Sequence, residues 1–429
     1  MTRLAEYSLI NPRALTPVSV QLWMCVVWLT IYWLAPVEMY TSPATYPYIL
    51  LGGCLVSLLL GLVLFESRTR TSRPADPDEW TRLYRVTFAL GLLGIGLRIF
   101  DWAVLRGLSV DVGFFENREK IETAGASAFS MASTLLIPFT LAPYMFHAVG
   151  RRNDARVGRA WTSIGLALLW PVLTIVIGSR SSMFMSIGML LISRLIIFPH
   201  TSKKIIAFCI AFILTLLYLG GLLFIARISE FGLNIEKSIK LSAFTHMVPV
   251  TSDYFRFVAN LSDWGRDTVF IGTTFAQYVL HGVPEFVYLT EHYHNGEQWG
   301  GYTFSIFVRL AHALWGLDYD GNLVTMSTPR VGIYTTMFGP FFVDFGAFAP
   351  VFCFLLGALI SWTRSRVLAG EIAVLPLYIA FVMQVASAIV VNTFMSAYGI
   401  FYNLAFGALW LAIVVARSRP RAMGREVMA

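Results

Sequence analysis

The chain has 429 residues, 57% of them hydrophobic and only 13% charged, with a mean hydropathy of +0.66. Soluble domains carry roughly 25% charged residues, so a water-soluble fold is excluded. The formal net charge of +7 does not point to nucleic acid, because the basic residues sit in short connectors between apolar runs, where they set sidedness.

Apolar runs near the ~20 residues that cross a bilayer recur along the chain. Each crossing must be helical, since a lone strand leaves backbone polar groups unpaired in lipid. The predicted fold is therefore an all-α polytopic membrane protein forming a single integral membrane domain. Residues 1–17 are polar, and the first apolar run is long enough to span, so no cleavable signal peptide is expected. The first two spans are 18–37 and 46–65, with Pro43 and Pro47 marking the hairpin between them. The third, 84–105, carries Arg98 and Asp101, three apart on one helix face and so able to pair. Spans four to seven are 129–149, 161–177, 183–199 and 205–226. The eighth to tenth are 343–363, 372–391 and 396–416.

Between the seventh and eighth lies 227–342, by far the longest polar interval. Loops of this length are functional or disordered, and its aromatic and apolar content argues against disorder. With the amino terminus cytoplasmic, the cytoplasmic connectors carry Arg68, Arg70, Arg73 and Arg82, then Arg151, Arg152, Arg156 and Arg159, then Lys203 and Lys204, then Arg364 and Arg366. The tail adds Arg417, Arg419, Arg421 and Arg425. Ten spans then leave both termini inside and 227–342 outside. Within it, 268–290 is apolar but contains His281, Pro284 and Glu285. A crossing there would put the basic tail outside, so a re-entrant or interfacial helix is expected.

The outer face thereby collects Arg98, Arg118, Arg180, Arg227, Arg256, Arg266, Arg309 and Arg330. Arginine suits bidentate phosphate recognition, and a lipid-linked phosphate or diphosphate is the natural ligand at that surface. Arg227, Arg266 and Lys237 also fit the part of head-group anchors. Arg180 sits in the tight turn Gly178-Ser179-Arg180-Ser181-Ser182, and Arg330 precedes Gly332 and Tyr334-Thr335-Thr336. Candidate bases are His281, Glu285, Glu291, His292, His294, His312 and Asp344. Burial raises a carboxylate toward the working pH of a general base. His292-Tyr293-His294 lacks helical i, i+4 spacing and a third ligand, so zinc is not expected. Asp318-Tyr319-Asp320-Gly321-Asn322 reads as a turn rather than a calcium loop. Trp264, Trp299, Tyr302, Trp315 and Tyr334 suit an interfacial belt or stacking against sugar rings. Cys25, Cys54, Cys209 and Cys353 lie inside predicted spans and suggest neither a metal site nor a disulfide framework.

Three features together resemble the Wzy-type oligosaccharide repeat-unit polymerases of O-antigen, capsule and exopolysaccharide synthesis. They are Gly178-Ser179-Arg180 after a span, the large late outer loop, and Gly332-Ile333-Tyr334-Thr335 continuing through Phe338-Gly339 to Asp344-Phe345-Gly346. The resemblance implies an inner-membrane glycosyltransferase akin to multi-span (GT-C-like) enzymes and O-antigen ligases. It implies transfer of a growing glycan from undecaprenyl diphosphate onto a lipid-linked repeat unit at the periplasmic face, without nucleotide sugar, metal or other cofactor. Partners would be the lipid-linked oligosaccharide, membrane lipids and a chain-length regulator. Arg180 and Arg330 match positions where that family sets arginines against lipid diphosphates. Arg118, Arg98, Arg256, Arg309, Tyr302 and Tyr334 are the further substrate-binding candidates. The base stays open among Glu285, Asp344 and the loop histidines. An O-antigen ligase, a lipid-linked sugar transporter and a non-catalytic assembly subunit are the competing readings.

Overall fold

The computed structural model describes residues 9–10, 15–65, 76–109, 114–123, 127–175, 180–198, 202–230, 232, 234–316, 326–394 and 399–418. The side chains of Arg118, Arg180, Arg227 and Arg309, and the residues Gly178, Ser179 and 317–325, lie outside the described set.

The protein is a helical membrane protein, and no strand forms among the described residues beyond one isolated bridge, Val37 to Val250. Among the described residues, six helices are long and apolar enough to cross a membrane: Pro17–Leu34, Tyr46–Leu64, Pro77–Leu105, Ala128–Arg152, Phe338–Leu368 and Gly399–Ser418. The shorter apolar helices Ala160–Thr174, Ser182–Ile197, Ile210–Leu222 and Ile372–Ser387 fall in the other four predicted spans.

Local chemistry starts these helices, the third of them at Pro77, seven residues before the predicted span at 84. α1 (Pro17–Leu34) opens on a Thr16/Ser19 capping box with proline at its first position. α2 is Tyr46–Leu64. α3 (Pro77–Phe100) is capped by Asp76, whose carboxylate accepts from the amides of Asp78 and Glu79. It continues as one π-helical turn, Asp101–Leu105. α4 is Phe114–Thr123. α5 (Ala128–Leu136) is capped by Ser127 and leads through a 3-10 turn, Ile137–Thr140, into α6 (Ala142–Arg152). Then come α7 (Ala160–Ile175), α8 (Arg180–Ile197) and α9 (Lys203–Glu230).

The long interval is itself helical, built from α10 (Ile235–Leu241), α11 (Tyr254–Ala259), α12 (Asp263–Leu280), α13 (Gly282–His292) and α14 (Ser305–Trp315). The chain closes with α15 (Phe338–Phe345), α16 (Ala349–Leu368), α17 (Leu375–Ser387) and α18 (Gly399–Ser418). The apolar run 268–290 is not one straight helix. It breaks at His281 between α12 and α13.

α2 and α16 form the closest helix pair. A Cβ on Gly61 would overlap the Phe354 carbonyl, and one on Gly357 would overlap the Leu58 carbonyl. Glycines let membrane helices approach to backbone contact, where dispersion replaces the missing hydrophobic drive. Cys54 and Cys353 are both fully buried in the main core on these same two helices.

The connectors gather at two ends. At one, Glu38 and Tyr40 amides bond the Pro249 and Met247 carbonyls at 2.8 Å, and the Tyr40 hydroxyl bonds Glu291 at 3.1 Å. The Met337 amide there bonds the Ala388 carbonyl at 2.7 Å. At the other, Arg417 pairs with Glu79, Arg366 with Glu371 at 2.8 Å, and Arg152 donates to the Ile197 carbonyl. These are the two sets of connectors that basic residues separate in the sequence.

Arg98 does not pair with Asp101. Its guanidinium turns to α5, where it donates to the Ser133 hydroxyl at 2.9 Å, the Ser130 hydroxyl and carbonyl at 3.0 and 3.1 Å, and Thr134. It also lies 5.7 Å from the ring centres of both Trp102 and Trp170. Asp101 pairs instead with Arg106 at 2.9 Å. The one-face argument fails because α5 offers a nearer row of hydroxyls. Arg98 thus ties α3 to α5 rather than facing a ligand. Arg98→Ala is expected to cost about 2–4 kcal/mol of stability, through unpaired buried hydroxyls and lost packing. A thermal melt in detergent checks this.

Candidate active site

Gly282 sets the geometry. A Cβ there would come within 2.5 Å of the Val390 carbonyl. Without one, the start of α13 docks directly on the chain after α17, and Thr336 donates its amide to the Gly282 carbonyl at 3.3 Å. One turn on, Glu285, Tyr288 and Leu289 face the same way, at i, i+3 and i+4. They form one wall of a small cleft. The opposite wall is the turning segment that carries Thr328, Pro329, Arg330, Ile333 and Thr335, with Tyr302 closing one side. Gly332 turns that segment with φ +77°, a left-handed conformation that glycine adopts without steric cost. The Met337–Ala388 hydrogen bond, and one of 3.2 Å from the Asn392 side chain to the Met337 carbonyl, then anchor it.

Across the cleft, Arg330 Nε lies 3.1 Å from Glu285 Oε2. Arg330 Nη2 donates to the Ala243 carbonyl at 2.7 Å. Glu285 is 2% exposed, and its Oε1 has no hydrogen-bond partner. Burial pushes this carboxyl up to about 7, and the Arg330 charge opposes that rise. A buried carboxyl titrating near neutrality, beside a fixed cation, is the pattern of a general base.

His281 is fully buried on the preceding turn, with Phe244 packed against its ring at 4.5 Å. Burial pushes its imidazole down to about 4, and Arg330 pushes the same way. It is neutral at neutral pH. Its Nδ1 lies 2.6 Å from the Tyr278 carbonyl, which assigns the proton to that nitrogen. His281 therefore packs behind the pair and carries no charge into it.

Asp344 has a different task from the one its position in the sequence suggests. Its two carboxylate oxygens accept the backbone amides of Tyr302 and Thr303, each at 2.8 Å. The Trp299 amide bonds the Asp344 carbonyl at 2.9 Å. Asp344 thus pins the loop that carries Tyr302 to the cleft. Both oxygens are engaged in holding that loop. Asp344→Ala leaves two amides without their acceptor. It should cost about 1–3 kcal/mol of stability, as the loop carrying Tyr302 loses its anchor. A thermal melt in detergent tests that.

The other candidates are dispersed. Arg256 is exposed and pairs with Asp253 at 3.5 Å, beside a larger apolar groove between α1 and α12. Tyr334 is 43% exposed, four residues past Arg330. Glu291 is taken by Tyr40 and Ser42, and His292 stacks on Tyr288 with ring centres 4.0 Å apart. Among the described residues, no three His, Cys, Asp or Glu side chains converge as a metal would require. Sequence reasoning missed Tyr288, Thr328 and the Ala243 carbonyl. Helical spacing from Glu285 would have found Tyr288. The other two are brought in by the tertiary fold.

The cleft offers a buried carboxylate, a guanidinium 3.1 Å from it and an aromatic wall, at the end of the bundle where the less basic connectors meet. Comparison with family models, curated proteins and solved structures finds no match for this chain.

Proposed function

We propose that the protein is a polysaccharide repeat-unit polymerase of the Wzy type, spanning the bacterial inner membrane ten times with both termini cytoplasmic. It moves a growing glycan from undecaprenyl diphosphate onto a lipid-linked repeat unit at the periplasmic face. The observation that carries this reading is the Glu285–Arg330 pair, 3.1 Å apart across the cleft between α13 and the 328–335 segment.

The chemistry follows from that pair. The acceptor hydroxyl gives its proton to Glu285. Its oxygen bonds to the anomeric carbon of the donor sugar, and the bond from that carbon to the diphosphate oxygen breaks. The electron pair leaves on the diphosphate, where Arg330 stabilises the developing charge. No external energy source is required, because the glycosyl diphosphate is already activated. Tyr302 and Tyr288 suit stacking against the sugar rings. Arg180, by the resemblance, and Arg118, by its place in an outer loop, supply the rest of the diphosphate clamp.

The test is reconstitution of the full chain in vesicles with lipid-linked repeat units as sole substrate. The expected product is a ladder of repeat multiples still carried on the diphosphate lipid. Glycan appearing on a lipid A core instead would make the protein a ligase. Unlengthened units moved across the bilayer would make it a transporter.

A further inference from the structure

We infer that α14 lies flat in the lipid surface at the cleft end of the bundle, seated by the face that carries Phe307 and Leu314, and that this seat holds the cleft at head-group depth. The seat itself is independent of the polymerase reading. Only the identity of the lipid that the cleft meets there rests on it.

Local sequence makes α14 a separate, two-faced helix. It runs from Ser305 to Trp315 and stops at Gly316, whose φ of +66° is the left-handed turn that commonly ends helices. Its described side chains divide by helical spacing. Phe307 and Leu314 are two turns apart and share one face, with Ala311 and Trp315 on its flank. Ser305 and His312, also two turns apart, share the opposite face. The apolar face is uncovered: Phe307 is 42% exposed, Leu314 62% and Trp315 74%. Among the described residues, no other helix packs closely on α14. A helix of 11 residues is marginal in water without such packing. In a membrane protein, an amphipathic helix with its apolar face open finds the matching surface in lipid, and Trp315 suits the head-group boundary.

The depth of α14 is fixed by its neighbour. Just before its first turn, the amides of Tyr302 and Thr303 bond the two oxygens of Asp344, each at 2.8 Å. Asp344 stands near the start of Phe338–Leu368, a stretch long and apolar enough to cross a membrane. It lies 22 residues before Arg366, which pairs with Glu371 at the basic end of the bundle. At the helical rise that separation is about 33 Å, just over the ~30 Å hydrocarbon thickness. Asp344 therefore stands at the far hydrocarbon edge, and α14 begins beside it. From there toward the basic end, Phe348, Val351, Leu355 and Leu359 make an exposed apolar stripe, the lipid-facing side of that crossing. Lipid thus reaches the level at which α14 starts.

The consequence for the cleft is geometrical. Tyr302, which closes one side of the cleft, stands three residues before α14. A helix seated in the surface plane keeps that wall at the level of lipid phosphates. On the reading above, the lipid-linked substrate then reaches Arg330 sideways, from the plane of the bilayer.

The experiment places a nitroxide on the full chain in nanodiscs of phosphatidylcholine and phosphatidylglycerol. The label sits on Leu314→Cys or on His312→Cys, with Cys25, Cys54, Cys209 and Cys353 replaced by alanine. Collisions are measured with oxygen, which concentrates in lipid, and with a neutral nickel chelate, which stays in water. At position 314 oxygen should dominate and place the label about 5–10 Å inside the head-group boundary. At position 312 the order should reverse. A second measurement needs no cysteine replaced. In bilayers of lipid brominated high on the acyl chain, the wild type should lose more fluorescence than Trp315→Phe. The inference is overturned if position 314 meets the nickel chelate as readily as position 312, or if Trp315→Phe leaves the bromine quenching unchanged. It is also overturned if the label at 314 is immobilised and meets neither reagent, as under a protein partner or a second copy of the chain. A normal glycan ladder from a chain whose 314 label faces water would remove the lipid seat alone. A lipid-seated label on a chain that makes no ladder would leave the seat and remove the polymerase reading.

Discussion

Replacing Glu285 by glutamine is expected to stop chain extension while the protein accumulates normally in the membrane. The substitution keeps size and shape, so α13 still docks through Gly282 and Arg330 keeps its hydrogen bond to the Ala243 carbonyl. What it removes is the site for the acceptor's proton. A positioned general base contributes about a hundredfold to ten-thousandfold in rate, so single, unextended repeats should dominate the lipid-linked pool. The wild-type rate should fall on the acid side of about pH 7, where the Glu285 carboxyl takes up its proton. A protonated carboxyl cannot accept another proton, so activity is lost as pH falls and is full above that value. The reading is sunk if Glu285→Gln extends chains at the wild-type rate, or if the acid limb lies near the ordinary carboxylate range.

Arg330→Ala should cost about two to three orders of magnitude in turnover, the usual effect of removing one preorganised donor from a developing anion. It should also change the pH profile. Arg330 opposes the upward push of burial on Glu285. Without it burial acts alone, so the residual activity's acid limb should move to higher pH. Arg330→Lys keeps the charge but loses the forked geometry and the Ala243 contact. It should recover the pH profile more fully than the rate. Since both residues act on one step, Glu285→Gln combined with Arg330→Ala should cost little more than the worse single change. Fully additive losses, or an acid limb that stays put in Arg330→Ala, would separate the two residues and dissolve the pair as a unit. The glycan ladder and a pH series on the same preparations give both answers.

Much of the scaffold was legible in the chain. Apolar runs of fixed length and the basic connectors marked helices that the fold contains, because lipid forces every crossing backbone to satisfy itself within its own helix. Thr16 with Pro17, Asp76 with Pro77, and Ser127 start helices by purely local chemistry, a signal in the sequence that the span boundaries 18, 84 and 129 did not use. Glu285, His281 and Arg330 were all candidates on residue type and place, and the fold brings these three together. The long interval was not legible as architecture. Its helices are short, and their order in space depends on contacts such as Tyr40 with Met247 and Met337 with Ala388, which join distant stretches.

The roles were less legible than the residues. Arg98 and Asp101 share a helix face, yet each finds its partner elsewhere. Asp344 looked like a base until its oxygens were seen to hold two amides. By itself the sequence determined the class of fold and the shortlist of ionisable groups, since hydropathy and charge act through length and composition. Only the tertiary structure decided which carboxylate is buried with one free oxygen facing an arginine. That choice turns on desolvation and on distances of about 3 Å between segments 45 residues apart, and no local pattern encodes either.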